Sequence, residues 1–333
     1  MQFLSKMGSI LCPVLTLSLL SAAQGQQHSL TLEQTIVLPN VQGGFNHMTV
    51  DVQRHRLFVA APTNKTLEVV DLSSGKPQRS LDGERPAAAR YAPEFDQLYV
   101  PRGQSLYIYD GETLGLITSV DLQSSLDELH YDARAKELYV GVMNADKPGI
   151  AVISIPDGKL KAKISLPGKP QGITFEHDGN RIFANVPSMK QIAVVDREKR
   201  TLLSPWPMQD FQGNSPIGID EPHHRLFVGA RNPAQLVIIN TETGKTVSIV
   251  PISSDADDLF YDGANKRVYV SCGEGVVDVI EQRDADHYRL QKRIPTVAGA
   301  RTSTFSAVLR AFYLGVPQHG GEPAKILVFN AAK

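Results

Sequence analysis

The sequence predicts an all-β chain folded as a seven-bladed β-propeller of four-stranded blades, closed by an N-terminal strand that completes the last blade. Three observations carry that expectation. A short apolar couplet centred on an aromatic or aliphatic pair recurs seven times, at Leu57-Phe58-Val59, Leu98-Tyr99-Val100, Leu138-Tyr139-Val140, Ile182-Phe183-Ala184, Leu226-Phe227-Val228, Val268-Tyr269-Val270 and Phe312-Tyr313-Leu314. The central aromatics follow one another at 41, 40, 44, 44, 42 and 44 residues, the period of one propeller blade. Within each period the apolar residues alternate as strands do, and never with the spacing of a helix.

The first blade shows how one repeat is built. His47 to Val50 reads as a short strand, Asp51 to Arg56 as a turn and Leu57 to Ala61 as a second strand; Leu67 to Val70 supplies the third. Asp71-Leu72-Ser73-Ser74-Gly75-Lys76 then turns the chain, with the Asp side chain free to cap backbone N–H groups and Gly75 free to take a positive φ. Related turns recur at Asp110-Gly111-Glu112-Thr113, Pro156-Asp157-Gly158-Lys159 and Asn240 to Lys245. The seventh unit, Arg301 to Phe329, is one strand short. Leu30 to Leu38 alternates like an outer strand and is expected to complete it, pairing an otherwise open edge and locking the ring.

Composition places the chain among globular proteins: 42% hydrophobic, 21% charged and a formal net charge of -1 across 333 residues exclude disordered and strongly basic classes. No electrostatic footprint for nucleic acid is present. Residues 28–333 are expected to form a single propeller domain, because a long chain can make one ring with many small cores between its blades. Residues 1–25 read as a secretory signal peptide: Lys6 supplies a positive charge, Ile10 to Leu20 an apolar run, and Ser21-Ala22-Ala23 the small residues before cleavage. The run is too short to span a bilayer. Export to the periplasm or the outside, with no membrane span after cleavage, is the expectation. Cleavage removes Cys12 and leaves Cys272 alone, so no intramolecular disulfide supports the exported chain.

The repeated Leu-Phe-Val-Ala segment, followed by an apolar run ending in Val-Val-Asp-Leu with Gly-Lys beyond, resembles the YVTN-type repeat of exported bacterial β-propellers. Phe45-Asn46-His47-Met48-Thr49-Val50-Asp51, Asp255 to Asp262 and Gly299-Ala300-Arg301-Thr302-Ser303 resemble stretches of YncE-like members of that family. The resemblance runs from about Leu30 to Lys333 and implies a seven-bladed ring. It brings no shared activity with it.

A binding site is expected where the innermost strands begin, at one face of the ring. Counting eleven residues back from the first residue of each couplet gives Asn46, Ala87, Asp127, Gln171, Ser215, Asp257 and Arg301; counting ten gives His47, Ala88, Glu128, Gly172, Pro216, Asp258 and Thr302. Asp127, Glu128, Asp257 and Asp258 form an acidic arc, with His47, Arg301, Asn46 and Gln171 beside it. Converging carboxylates suit a hard cation such as Ca²⁺, or a cationic or polyhydroxy ligand. The competing reading is a wet channel whose rim residues are simply solvated.

Other candidates are weaker. His223-His224 lies in a turn, and Asp284-Ala285-Asp286-His287 in a hairpin that lacks the later residues of a calcium loop. Cys272 closes a strand and reads as a small buried thiol. Trp206, between Pro205 and Pro207, reads as packing on the outer strand of the fourth blade. No nucleophile elbow or phosphate-cradling glycine loop occurs. Two functions are therefore expected: a scaffold binding a small molecule or a protein partner at the channel face, or a metal-assisted hydrolase or lyase of lactonase type, with His47 moving a proton and Arg301 holding an anionic group.

Overall fold

The computed structural model describes residues 30–144 and 146–331; the expected signal peptide lies outside them. Seven antiparallel sheets follow one another along the chain. The first is Met48–Asp51, Arg56–Ala61, Thr66–Asp71 and Lys76–Asp82, in chain order from the inside outward. The first strand of each sheet touches the first strand of the next all the way round, which makes these strands the wall of a central channel.

The recurrent couplet is the packing unit between blades. Successive side chains on a strand point to opposite faces, so the first residue packs backward and the aromatic forward. Leu57 joins the core shared with blade 7, and Phe58 the core shared with blade 2. The same split holds for Leu98 and Tyr99, and on to Phe312 and Tyr313. Seven such clusters occur among the described residues, one in each gap between blades.

Closure follows the sequence expectation. Thr31–Leu38 runs antiparallel to Ala324–Asn330, with Ile36 opposite Ile326. Ile36 and Leu38 are 0% and 1% exposed and sit in the cluster between the last blade and the first. The turn after Thr66–Asp71 is also as expected: Asp71 Oδ1 accepts the N–H groups of Ser73 and Ser74 at 2.8 and 2.9 Å, and Gly75 takes φ +65°. In the corresponding turn of the second blade the positive φ falls on Leu114, which needs no glycine.

Blade 4 is irregular at its outer edge. Its last strand is broken into Thr201–Leu202 and Trp206–Pro207, both paired with Gln191–Asp196. Pro205, which lies in the gap, has no N–H to donate, which explains the break. Trp206 packs on Phe183 at 5.1 Å between ring centres.

Candidate functional site

All seven side chains reached by counting eleven residues back from the couplets, from Asn46 to Arg301, line a single cavity of about 300 Å³ at the mouth of the channel. Below it lies a narrower chamber of about 70 Å³ lined by Asp258, Arg90, His130 and Ser303 among others. His47 and Glu128 line both spaces and so form the neck between them.

Alternation along a strand should send Asp127 and Glu128, or Asp257 and Asp258, to opposite faces. Two β-bulges prevent it. In blade 3 the register shifts between Leu126 and Leu129, and in blade 6 between Ala256 and Asp258. A bulge adds a residue without a partner and re-aims its side chain. Consecutive carboxylates in both blades thereby face the channel.

Three of the four carboxylates are held by other blades. Glu128 Oε2 accepts the Ile173 N–H at 3.2 Å and lies 3.4 Å from His130 Nε2. Asp258 Oδ2 accepts the Ser303 N–H at 2.6 Å. Asp257 pairs with Arg231 at 2.6 Å and with Arg301 at 3.3 Å. Arg301 also makes two contacts to Asp255, at 2.9 and 2.7 Å, so its guanidinium is occupied rather than free to grip an anionic group. Asp127 makes no hydrogen bond or ion pair among the described residues.

His47 sits between the two bulged strands. Its Nδ1 lies 3.2 Å from Asp258 Oδ1 and 3.7 Å from Glu128 Oε1. Burial disfavours charge on the ring, but Asp258 and Glu128, with Asp127 behind them, outweigh burial and raise its pKa well above the usual imidazole value. Burial also works against the Glu128 carboxylate, yet His47 and His130 hold its pKa down at about 2. Asp127 goes the other way: burial pushes it up to about 6, against the pull of His47. Asp257 is likewise raised, by burial and by Asp258 beside it.

Counting within repeats did not reach Arg231, Asp255, Arg85, Arg90 or His130. Leu126–Asp132 and Ala256–Asp262 share the pattern Asp, acid, Leu, any residue, Tyr, Asp, but His130 holds its variable position, which is Phe260 in blade 6, so the repeat carried no signal for it. On the same face, Gln171, Ser215 and Arg231 also border a more open hollow of about 480 Å³ with Pro167, Lys169 and Pro187.

The other sequence candidates do not join this site. His223 Nδ1 pairs with Asp220 at 2.9 Å within its own turn. Asp284 Oδ1 caps the N–H groups of Asp286 and His287 at 2.9 and 3.0 Å. Cys272 is fully buried, and burial pushes its thiol pKa up, which keeps it a thiol.

No protein-family model matches the chain, and no curated protein is detectably similar to it in sequence. Solved structures are similar in shape. A chain from the crystal structure of the mitotic checkpoint complex superposes with a TM-score of 0.78 at 14% identity, over 98% of this chain and 99% of that one. A chain of the Kuenenia stuttgartiensis hydrazine synthase superposes with a TM-score of 0.75 at 16% identity, over 93% of this chain and 99% of that one. The seven-bladed propeller is common to all three. Identity at this level speaks for fold and not for activity, since one fold hosts many functions. No helix among the described residues is long and apolar enough to cross a membrane.

Proposed function

We propose that this chain is an exported propeller of the YVTN, YncE-like kind that binds a small, polar, positively charged or polyhydroxy molecule in the axial cavity. One observation carries the reading: seven equivalent positions from seven blades converge on one cavity, and of its acidic residues Asp127 is the one that makes no hydrogen bond or ion pair among the described residues. An unpaired, half-buried carboxylate at the axis is electrostatically costly unless a ligand pairs with it. The amide side chains of Asn46 and Gln171 and the Ser215 hydroxyl supply neutral hydrogen-bonding groups around it. The hollow beside blades 4 and 5 gives a longer ligand room to extend. Export is supported by the charged, apolar and small-residue segments that follow one another in residues 1–25.

A small ligand is favoured over a protein partner because the ionisable groups are sunk at the axis, where a flat protein surface would not reach. The protein propeller in the checkpoint complex is no guide to this choice at 14% identity.

The test uses protein stripped and assayed in chelator, with putrescine, glucose and gluconolactone as probes in thermal-shift and calorimetric titrations. A probe that binds should stabilise by about 2.7 kcal/mol at a hundredfold excess over its Kd, and Asp127→Asn should remove that stabilisation for the cationic probe. If none of the probes binds, or if Asp127→Asn leaves putrescine binding intact, the axial reading fails.

A second reading, a metal-assisted hydrolase or lyase, is favoured by one further feature: His47, Glu128 and Asp258 each offer a ligand atom within 4.8 Å of the other two.

A further inference from the structure

We infer that His47, Glu128 and Asp258 form a three-ligand site for a divalent transition metal such as Zn²⁺ or Mn²⁺, at the neck between the axial cavity and the chamber below. The inference deepens the axial-cavity reading and rests on that face of the ring being the functional one.

Each carboxylate keeps one oxygen turned toward His47. Glu128 has one oxygen committed to the Ile173 N–H at 3.2 Å and to His130 at 3.4 Å. Asp258 has one committed to the Ser303 N–H at 2.6 Å. The opposite oxygens, Glu128 Oε1 and Asp258 Oδ1, are those that face His47 Nδ1, at 3.7 and 3.2 Å. Groups outside the triad thus orient the carboxylates, as outer-shell hydrogen bonds orient ligands in metal sites. Bonds of about 2.0–2.2 Å to a tetrahedral ion place neighbouring ligand atoms roughly 3.3–3.6 Å apart. The two separations from His47 bracket that spacing, and the two carboxylate oxygens lie within 4.8 Å of each other.

The donor set also selects the ion. One imidazole and two monodentate carboxylates suit Zn²⁺ or Mn²⁺, whereas Ca²⁺ takes six to eight oxygens. Asp127 stands outside the group of three whose ligand atoms lie within 4.8 Å of one another, and Asp257 is already paired with Arg231 at 2.6 Å, so neither enlarges the oxygen set. The three ligands come from blades 1, 3 and 6, so the site exists only in the closed ring. The cavity above leaves a coordination position open, the arrangement of catalytic rather than structural zinc sites, and an ion there could polarise an oxygen of a ligand bound beside Asp127.

Cobalt titration of chelator-stripped, untagged protein tests this. The expected result is saturable uptake of one Co²⁺ per chain, with a visible ligand-field absorption that Zn²⁺ abolishes and Ca²⁺ does not. His47→Gln and Asp258→Asn should each weaken uptake at least tenfold, while Asp127→Asn should retain it. The inference is overturned if wild-type protein shows no saturable band, if Ca²⁺ displaces Co²⁺ as well as Zn²⁺ does, or if folded His47→Gln binds unchanged. The wild-type titration decides the matter even where a variant does not fold. Because the organic probes are tested in chelator, loss of the metal site leaves their binding standing, and their failure leaves the cobalt result standing.

Discussion

Both ends of the innermost strands carry buried carboxylates, and the two ends use them differently. At the end away from the mouth, each acid finds partners within its own turn, and Asp132 and Asp220 add one from the following blade, Arg197 at 2.9 Å and Gln282 at 2.7 Å. Asp51 Oδ2 accepts Arg56 Nε and Nη2 at 3.1 and 2.7 Å, while Oδ1 accepts the Arg54 N–H at 3.1 Å. Asp262 accepts the Asn265 N–H at 3.2 Å and the Tyr269 hydroxyl at 2.9 Å. At the mouth the partners are remote: His47 and Asp258 stand 211 residues apart, and Ser303 and Asp258 stand 45 apart. The first set rests on turn chemistry that each blade supplies for itself. The second is made only when the blades close into a ring, and it leaves one acid, Asp127, without a hydrogen bond or ion pair among the described residues. The same residue type therefore reports stability at one end and binding at the other.

If the mouth depends on closure, removing the closing strand should have the largest effect. Deleting residues 30–38 exposes the edge of Ala324–Asn330 and strips Ile36 and Leu38 from their cluster. At about 1.5–3 kcal/mol for each fully buried side chain, the loss should reach roughly 3–6 kcal/mol from these two alone. The thermal midpoint should fall sharply and Co²⁺ uptake should vanish. An unchanged midpoint would show that blade 7 does not need this strand.

Next in size is Asp51→Ala. It strands the Arg56 guanidinium, which is 7% exposed on its side chain, without its carboxylate. Removing one partner of a buried ion pair costs about 3–5 kcal/mol. Urea unfolding should show that loss with ligand binding per folded molecule unchanged. A cost below about 1 kcal/mol would erase the distinction between the two ends, because it would match an exposed pair.

A smaller effect is expected at Glu137, which opens the second strand of blade 3 away from the mouth. Burial opposes its charge, but Lys161 and Arg200 prevail and hold its pKa below the ordinary 4.5. A depressed folded-state pKa contributes stability that is present above the unfolded value and lost as pH falls through the folded one. Glu137→Gln should therefore be less stable than wild type near neutrality, with the gap closing in acid. A gap independent of pH would mean that the side chain acts through packing and not through charge.

The two ends also differ in how far the sequence disclosed them. The turns at the far end were legible, because an Asp followed within a few residues by its own N–H partners is a local pattern. The couplets were legible too, since forward and backward packing from adjacent strand residues imposes a fixed residue type at a fixed period. At the mouth, counting back from the couplets located positions that line one cavity, because every blade reaches the axis with the same number of residues. What it could not disclose was orientation. Asp127-Glu128 and Asp257-Asp258 both face the channel only because of bulges, and a bulge depends on strand pairing that a single sequence does not display. Nor could counting show that Arg231 and Asp255 would claim Asp257 and Arg301, since those partners stand outside the repeat positions.

The smallest effect on stability should belong to the residue with the largest effect on binding. Asp127 carries no hydrogen bond or ion pair among the described residues, so its replacement by the isosteric amide in Asp127→Asn breaks no contact. It also removes a carboxylate whose charge is disfavoured by burial, against the pull of His47. Substitutions away from packed or paired features fall within about 0.5 kcal/mol, and relief of that burial cost should tilt this one toward stabilisation. A turn acid such as Asp51 treated in the same way loses a guanidinium partner; Asp127 has none to lose. Urea unfolding of the stripped protein should therefore place Asp127→Asn at or slightly above wild type, while the cationic probe no longer binds. A loss of more than about 1 kcal/mol would mean that Asp127 has a structural partner like the far-end acids, and the mouth would then be an extension of the scaffold and not a site.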